Sequence, residues 1–253
     1  MNPYRAAFYQ RQAEWHRYEG PDQVRDRHEL RSRYYEWYTR DWLPEDRDAE
    51  ILDIGCGSGQ FLYFLRKKGY AQAKGVDVDR KQIEIARALG LDAEETLIHD
   101  FLGRSESDYD MIAMLDIIEH FTREELFPLL EAVVGRLRPG GLLIASVPNA
   151  ESPDGLRCVY TDITHEIAFT PQSFEEMMFC HRLKLEALRD PWPAPVGIPH
   201  RIYRGIVRST RWAESLRLRS LGFEPPRIWS NVMWGLARKE PSAVPRESHV
   251  SPV

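Results

Sequence analysis

The chain has 253 residues, 43 % of them hydrophobic, which is enough to bury the core of one large α/β domain. A net charge of −5 argues against a general nucleic-acid binder, and no run of about 18 apolar residues is present that could span a membrane. Residues 1–10 lack the apolar core of a signal peptide, and Cys56, Cys158 and Cys180 lack metal or disulfide spacing. We therefore expect a cytoplasmic protein.

The composition divides the chain into three segments. Residues 1–45 carry many Arg, Glu, Tyr and Trp at helical spacing, and they predict an N-terminal cap of two helices beside the mouth of a binding site. Strand patterns alternate with helical patterns through residues 46–240, which predicts a parallel sheet with helices on both faces. Residues 241–253 are Pro, Ser and charge, so we expect a disordered tail.

The most informative segment is Ile51–Gly59, a short apolar strand that runs into glycines at three alternate positions. Glycines after a strand let the backbone turn sharply and approach a ligand without an intervening Cβ. The predicted helix that follows, residues 60–68, directs its free N–H groups at the same ligand. Asp53, at the end of the strand, can hold a polar group of that ligand.

A second carboxylate belongs to the same site. The next apolar strand, residues 73–78, contains Asp77, which follows Gly59 by 18 residues. In a doubly wound fold a carboxylate at this position accepts both ribose hydroxyls of an adenosyl group. The loop has Gly-x-Gly-x-Gly spacing and not the Gly-x-Gly-x-x-Gly of dinucleotide sites, which disfavours an NAD-dependent oxidoreductase.

Three later motifs occur in a consistent order: His99-Asp100-Phe101, the strand Tyr109–Leu115, and the turn Arg136–Gly141. Together with the glycine loop and Asp77, they resemble the class I S-adenosylmethionine-dependent methyltransferases from about Leu52 to Asp190. The resemblance implies a doubly wound, seven-stranded, Rossmann-like sheet with helices on both faces. Its last strand, in residues 227–239, would return antiparallel.

The resemblance also assigns residues to S-adenosylmethionine. Asp53, Gly55 and Gly57 would bracket its methionine part, and the strand that ends at Leu115 would lie beneath it. Asp77 would hold the ribose, and Asp100 with Phe101 would contact the adenine.

Acidic and histidine side chains follow the fourth and fifth predicted strands. Asp116, Glu119 and His120 come directly after strand four, and His165 comes after strand five. Because reacting groups lie beyond the carboxyl ends of the strands in such sheets, we expect these side chains to meet. Carboxylate oxygens with imidazole suit a divalent ion such as Mg²⁺, Mn²⁺, Fe²⁺ or Zn²⁺.

These segments resemble the metal-dependent O-methyltransferase branch, seen in small-RNA 3′-end 2′-O-methyltransferases and, for the first segment, in ubiquinone-pathway enzymes. That resemblance implies that Asp116, Glu119, His120 and His165 are metal ligands, although Asp116 stands where the branch has Glu. Many metal-free relatives also have a Glu-His pair at this place. Without a metal, His165 or His120 is the predicted general base, and Asp162 could orient His165.

An aliphatic hydroxyl needs a base or a metal to become a nucleophile, so we predict O-methylation of an acceptor with a diol. The segment Asp162–Thr170 and the residues after it also resemble methyltransferases of surface polysaccharides and glycosylated natural products. We therefore rank a sugar or glycan above an RNA 3′ end and a phenol or quinone. The alternative of a different class is a protein that binds S-adenosylmethionine without catalysis.

A basic helix is predicted after the proline-rich loop at residues 190–199. Arg201, Arg204, Arg208 and Arg211 recur every three or four residues and predict one arginine stripe. Residues 200–239 contain nine Arg or Lys against two Glu. The helix is either a solvated cover of the sheet or a contact for an anionic substrate, a lipid headgroup or a membrane surface, which would make the protein membrane-peripheral.

Overall fold

The computed structural model describes residues 3–9, 11–15, 18, 20–196 and 198–241. The seven strands are β1 (Ile51–Ile54), β2 (Ala73–Asp77), β3 (Asp92–Glu95), β4 (Tyr109–Leu115), β5 (Leu137–Pro148), β6 (Leu183–Arg189) and β7 (Val232–Lys239). The α-helices of these residues are α1 (Pro3–Tyr9), α2 (Gln12–Trp15), α3 (Pro21–Tyr38), α4 (Gln60–Lys67), α5 (Arg80–Ala88), α6 (Ile98–Arg104), α7 (Arg123–Gly135), α8 (Gly155–Val159), α9 (Pro171–Cys180) and α10 (Ile198–Ser220).

The strands form one sheet in the order β3-β2-β1-β4-β5-β7-β6. Strands β1 to β5 are parallel, and β7 runs antiparallel to both β5 and β6. The predicted fold class, including the antiparallel last strand, is confirmed. The order of the strands reverses at β1 and β4, and in doubly wound sheets the crevice for a ligand opens at that point.

Apolar residues cover both faces of the sheet because neighbouring positions on a strand point to opposite sides. In β1, Leu52 packs with one buried cluster, which includes the α7 residue Leu129, and Ile51 packs with the other. The second cluster includes Tyr35 of α3, whose ring lies 5.2 Å from that of Phe61. Helix α3 is therefore part of the core and not a separate appendage.

Side-chain caps decide where several helices begin. The carboxylate of Asp79 accepts hydrogen bonds from the backbone N–H groups of Lys81 and Gln82, at 2.9 and 3.2 Å. Thr122 forms a capping box with Glu125 at the start of α7, and Thr170 forms another with Ser173 at the start of α9. Such caps satisfy N–H groups that a helix leaves without an internal partner.

Several predicted boundaries change. The turn predicted at residues 136–141 lies largely inside β5, which starts at Leu137 and contains a register shift opposite β4. Helix α10 begins at Ile198, within the predicted loop, and β7 begins at Val232, later than predicted. The described residues of the N-terminal segment form three helices where two are predicted. The predicted tail, apart from Pro241, lies outside the described residues.

The arginine stripe predicted on α10 lies along the side of the helix that packs on the domain. Arg211 donates to the carboxylate of Asp190 at 2.8 Å, and the guanidinium of Arg204 lies 5.1 Å from the ring centre of Trp37. These two arginines contact the rest of the chain, while Arg208 is exposed and the side chain of Arg201 lies outside the described residues. Within the described part of the chain, no helix is both long enough and apolar enough to cross a bilayer.

The side chain of Asn149 joins the end of β5 to the segment that leads into β7. This fully buried amide donates to the carbonyl oxygens of Ile228 and Ser230, at 2.8 and 3.0 Å, and accepts from the N–H of Glu151 at 3.1 Å. We predict that Asn149→Ala lowers the free energy of unfolding by about 2–3 kcal/mol, because buried backbone groups lose their partners. Urea denaturation measures the change.

The matched control is Asn231→Ala, which removes an exposed amide, because the backbone oxygen of Asn231 accepts from the N–H of Asn149 and is kept in the variant. Its free energy of unfolding should stay within about 0.5 kcal/mol of the unmodified chain. Equal losses in the two variants would contradict this role for Asn149.

Candidate functional site

The glycine loop after β1 has a backbone that side chains rarely tolerate. Gly55, Gly57 and Gly59 have φ angles of 74°, 53° and 81°. A Cβ on Gly55 would also lie 2.4 Å from Cδ1 of Ile117. Glycine is therefore required at Gly55 for both the positive φ angle and the close approach of the loop that follows β4.

Asp77 holds this loop against β2. One carboxylate oxygen accepts from the N–H of Gly57 at 2.8 Å, and the other accepts from the N–H of Asp79 at 2.8 Å. Burial raises the pKa of Asp77, and it raises the pKa of the neighbouring, 2 % exposed Asp53 well above the ordinary range. The charge of Asp77 adds to the effect on Asp53. The two predicted carboxylates are thus adjacent.

His28 of α3 supports the loop from the other side, and the sequence analysis does not identify it. Its Nε2–H donates to the carbonyl oxygen of Ser58 at 2.9 Å, and its ring packs edge-on against Tyr63. The side chain is fully buried, and this burial lowers the pKa of His28 below its ordinary value. A lone histidine in a helix with little amphipathic pattern gives no signal that could have revealed this contact.

A cavity of about 240 Å³ opens beside the loop, at the carboxyl edge of the sheet. Of the residues predicted to bind the cofactor, Gly55 and Asp77 line it. Asp53 and Gly57 lie behind that lining, and Leu115 is half-buried at the end of β4.

The predicted adenine contacts lie one turn away from the cavity wall. Phe101 is 5 % exposed and packs in the core, and Asp100 is exposed to solvent. The wall is formed by Leu97, Ile98 and His99, at the start of α6. The motif therefore begins at the cavity wall, which His99 and the two residues before it line.

Three of the four predicted metal ligands meet beside the cavity, which His120 lines. One ligand atom from each of Glu119, His120 and His165 lies within 4.8 Å of the others. Glu119 is 1 % exposed, and burial raises its pKa well above the ordinary range, with a further contribution from the charge of Asp116. Its Oε2 has no hydrogen-bond partner in the described part of the chain. A buried carboxylate oxygen without a partner is typical of a site that binds a cation or a proton donor.

Hydrogen bonds also fix which nitrogen of each imidazole carries a lone pair. Thr164 Oγ1 donates to the carboxylate of Asp162 at 2.7 Å, so it must accept from Nδ1–H of His120 at 2.8 Å. In the same way, His165 Nδ1–H donates to the carbonyl oxygen of Val159 at 2.7 Å. Nε2 is consequently the free nitrogen of both rings. Burial, followed by the charge of His165, lowers the pKa of His120 to about 4, which keeps its ring neutral near pH 7.

Asp116 is held apart from these three residues. Its φ angle is 52°, and its Oδ1 accepts from the hydroxyl of Ser146 at 2.7 Å. Ser146 also accepts from the N–H of Asp116 at 3.1 Å, so the residue is fixed by the end of β5. Asp116 lines the cavity but does not join the cluster. Its shorter side chain, relative to Glu, is consistent with this separation.

Helix α1 closes one side of the cavity. Arg5 and Tyr9 line the cavity, and Arg5 forms ion pairs with Glu125 at 2.7 Å and with Glu166 at 3.3 Å. The ring of Tyr9 stands edge-on to that of His120, with centres 6.0 Å apart, and burial raises the pKa of Tyr9 to about 12. The sequence analysis assigns no role to either residue.

The burial of His28 predicts a dependence of stability on pH. Its pKa is lower in the folded chain than in the unfolded chain, so the unfolded chain takes up the proton first as the pH falls below about 6.5. The stability that His28 contributes is present above that pH and is lost at lower pH. We expect His28→Gln to cost about 1 kcal/mol at pH 7.5, from the weakened bond to Ser58, and less at pH 5.5.

Urea denaturation of both chains at the two pH values measures this difference. The control is His99→Gln, at an exposed histidine. The difference in free energy of unfolding between this variant and the unmodified chain should be the same at both pH values. A gap between the unmodified chain and His28→Gln that is the same at both pH values would contradict the prediction.

Comparisons with known proteins agree with this geometry. A family model described as a methyltransferase domain matches residues 27–196. A small RNA 2′-O-methyltransferase of Mus musculus is 24 % identical over 184 residues, which cover 64 % of this chain and 46 % of that protein. A ubiquinone biosynthesis O-methyltransferase of Xylella fastidiosa is 31 % identical over 107 residues, which cover 40 % of this chain and 42 % of that protein. The chain thus spans less than half the length of these two relatives.

Solved structures resemble the fold over most of the chain. A SAM-dependent methyltransferase from Archaeoglobus fulgidus is 20 % identical, with a TM-score of 0.58, and the match covers 87 % of this chain and 95 % of that chain. A putative methyltransferase in complex with the Trm112 activator of Haloferax volcanii is 15 % identical, with a TM-score of 0.60. The match covers 87 % of this chain and 93 % of that chain. The family match extends over more than half of the chain, so the chain belongs to the methyltransferase-domain family and has the class I fold of the SAM-dependent methyltransferases.

Proposed function

We propose that the chain transfers the methyl group of S-adenosylmethionine to a hydroxyl of a sugar or glycan acceptor, with a divalent metal such as Mg²⁺ or Mn²⁺ at the site. The observation that carries the metal is the cluster of Glu119, His120 and His165, whose ligand atoms lie within 4.8 Å of one another. Two free Nε2 atoms and a buried carboxylate oxygen without a partner form a donor set that suits a divalent transition-metal ion such as Mn²⁺, Fe²⁺ or Zn²⁺ better than it suits Mg²⁺.

The methyl donor would lie along the glycine loop. Gly55 permits close approach of the donor to the backbone, and Asp77, at the cavity wall, can accept from the ribose hydroxyls. The first residues of α6 provide an apolar wall for the adenine. The chemistry that S-adenosylmethionine supplies is an electrophilic methyl group on a sulfonium, so the protein has to align the acceptor oxygen and remove its proton.

The chemistry that a bound divalent ion supplies is a lower pKa for the acceptor hydroxyl. Glu119, His120 and His165 would hold such an ion. Nδ1 of His120 bonds to Thr164, and Nδ1 of His165 bonds to the carbonyl oxygen of Val159. These hydrogen bonds keep both imidazoles in the tautomer in which Nε2 carries the free lone pair. Asp116 can accept a hydrogen bond from the second hydroxyl of a diol, since it lines the cavity beside His120.

A second, open cavity of about 780 Å³ supports the choice of a glycan acceptor. It lies between the N-terminal helices and residues 161–164, next to the Asp162 and Thr164 contacts that orient His120. Trp15, which is 82 % exposed, lines it together with Arg11 and Glu14. A flat exposed aromatic ring flanked by charged hydrogen-bonding groups suits the apolar face and the hydroxyl edge of a sugar. This favours a role in carbohydrate or polysaccharide biosynthesis.

An RNA 3′ end is the second candidate, because its terminal ribose offers the same vicinal diol. The match to the small RNA 2′-O-methyltransferase of mouse covers 64 % of the length of this chain. The net charge of −5 disfavours that acceptor, since RNA binding relies on contacts between phosphates and basic side chains.

We predict that Asp77→Ala weakens the binding of S-adenosylmethionine by about 1–3 kcal/mol, because the ribose hydroxyls lose a charged acceptor. Isothermal titration calorimetry measures the change. Asp92→Ala, which removes an exposed carboxylate in β3, is the control and should bind as the unmodified chain does. Unchanged affinity in Asp77→Ala would remove Asp77 from the cofactor site.

The proposed reaction predicts methyl transfer that depends on both a diol and a metal. Labelled S-adenosylmethionine is incubated with sugars and oligosaccharides that have vicinal hydroxyls, and with the matched sugars in which one of the pair is absent. We expect transfer to the diols, a loss of at least 100-fold with EDTA, and recovery with Mg²⁺ or Mn²⁺. An RNA oligonucleotide with a 3′-terminal diol is tested in parallel.

His165→Ala should show the same loss without EDTA while S-adenosylmethionine binds normally, and Glu176→Ala, at an exposed position of α9, should be fully active. Transfer that resists EDTA but is lost in His165→Ala would make His165 a general base and exclude the metal. Transfer to RNA alone would replace the sugar as acceptor. Binding of S-adenosylmethionine without transfer to any acceptor, including phenols and quinols, would favour a non-catalytic protein.

A further inference from the structure

Helix α10 leaves an apolar face uncovered. Ile202, Ile206 and Leu216 are 68 %, 56 % and 49 % exposed, and they lie along one side of this 23-residue helix with Ala213 and with Ser209, whose hydroxyl donates to the carbonyl oxygen of Gly205. Exposed apolar residues continue directly after the helix, at Leu221 and Phe223. A row of this length is unusual on the surface of a globular domain. It indicates a site of interaction with a protein or a membrane.

The other side of α10 is anchored to the domain, so the exposed side has a fixed direction. Arg211 donates to Asp190 at 2.8 Å and to the carbonyl oxygen of Trp192 at 3.1 Å. Val207 and Leu218 are half-buried on the same side as Arg211. The helix therefore keeps its contacts with the domain while its apolar side faces outwards.

Basic and aromatic side chains border the apolar side. On one border Arg208, Trp212 and Arg219 lie close together on the helical surface, and Trp212 is 67 % exposed. Among the described residues, neither Arg208 nor Arg219 has an ion-pair partner. On the opposite border lies Tyr203, which is 49 % exposed. Apolar residues between aromatic and arginine borders are typical of helices that lie in the interface of a membrane.

The charge of α10 favours an anionic lipid surface over a second copy of the chain. The helix has six arginines and one glutamate, so two copies placed face to face would bring like charges together. An anionic bilayer instead attracts the arginine border and accepts the apolar row. We propose that α10 docks the protein on an anionic phospholipid membrane, with the helix in the plane of the interface.

The place of α10 in the fold connects this surface with the site. Strands β5 and β6 run in the same direction, because both are antiparallel to β7. Helix α10 follows the carboxyl end of β6, and the cavity opens at the same edge of the sheet, beyond β1 and β4. Docking through α10 would thus place at the membrane a helix that follows the edge of the sheet where the cavity opens. The docking itself does not depend on the proposed methyl transfer.

Co-sedimentation of the full chain with vesicles tests the proposal. Vesicles of phosphatidylcholine alone are compared with vesicles that contain phosphatidylglycerol as well. We expect binding to the anionic vesicles that weakens with salt, and a loss of at least 10-fold in the variant Ile206→Glu/Leu216→Glu. The variant Arg208→Gln/Arg219→Gln keeps the apolar row and should lose about 5- to 30-fold, mostly on anionic vesicles.

The matched control is Phe179→Glu, which places the same charge at an 81 % exposed apolar residue of α9. It should bind vesicles as the unmodified chain does, and all variants should retain their urea midpoints because the changed residues are exposed. Failure of the unmodified chain to bind anionic vesicles would overturn the proposal. So would sedimentation of a dimer that Ile206→Glu/Leu216→Glu dissociates, since the face would then belong to a second copy. Methyl transfer to a soluble acceptor is assayed separately, so either proposal can fail alone.

Discussion

The hydrogen bond from the N–H of Gly57 to the carboxylate of Asp77 is the contact on which the site depends. It ties the glycine loop after β1 to the end of β2, and the bond from His28 to Ser58 holds the loop from α3. A loop with positive φ angles has few stable contacts of its own, so its position is decided by these neighbours. Gly55 of this loop and Asp116 and Ile117 after β4 line the cavity together.

The Glu119, His120 and His165 cluster shows a second constraint, which is the burial of polar groups. A buried imidazole is stable only when its N–H has an acceptor, and here Thr164 and the carbonyl oxygen of Val159 provide them. These contacts leave the Nε2 atoms as the groups that can bind an ion or a proton. The same residues therefore serve the stability of the segment after β5 and the proposed chemistry at its surface.

The N-terminal helices belong to both the core and the site. Helix α3 contributes Tyr35 to the buried cluster beneath the sheet, whereas Arg5 of α1 reaches the cavity and pairs with Glu125 and Glu166. The cavity that we propose for the acceptor lies between two segments that are far apart in sequence, the N-terminal helices and residues 161–164. Selectivity for the acceptor can change through these segments without altering the sheet.

Much of the site is local in sequence and could be predicted from it. The alternation of glycines after an apolar strand predicted the loop, and the position of Asp77 at the next strand end placed it at the cavity wall. The acids and histidines after β4 and β5 were predicted to meet because parallel strands end at one edge of a sheet. Three of them do meet, while Asp116 is held apart by Ser146.

The tertiary structure decided the contacts between segments that are distant along the chain. The support of Ser58 by His28, the approach of Arg5 and Tyr9 to the cavity, and the place of Leu97 to His99 at its wall depend on how helices pack on the sheet. The same holds for α10, where spacing predicted one arginine stripe, and packing decided that Arg204 and Arg211 in this stripe face the domain while apolar residues face outwards. The sequence by itself determined the strands, the glycine loop and the chemical groups at the strand ends, because these follow from local backbone geometry and hydrophobic period. Only the folded chain determined which of those groups touch, because side-chain contacts depend on the packing of distant elements.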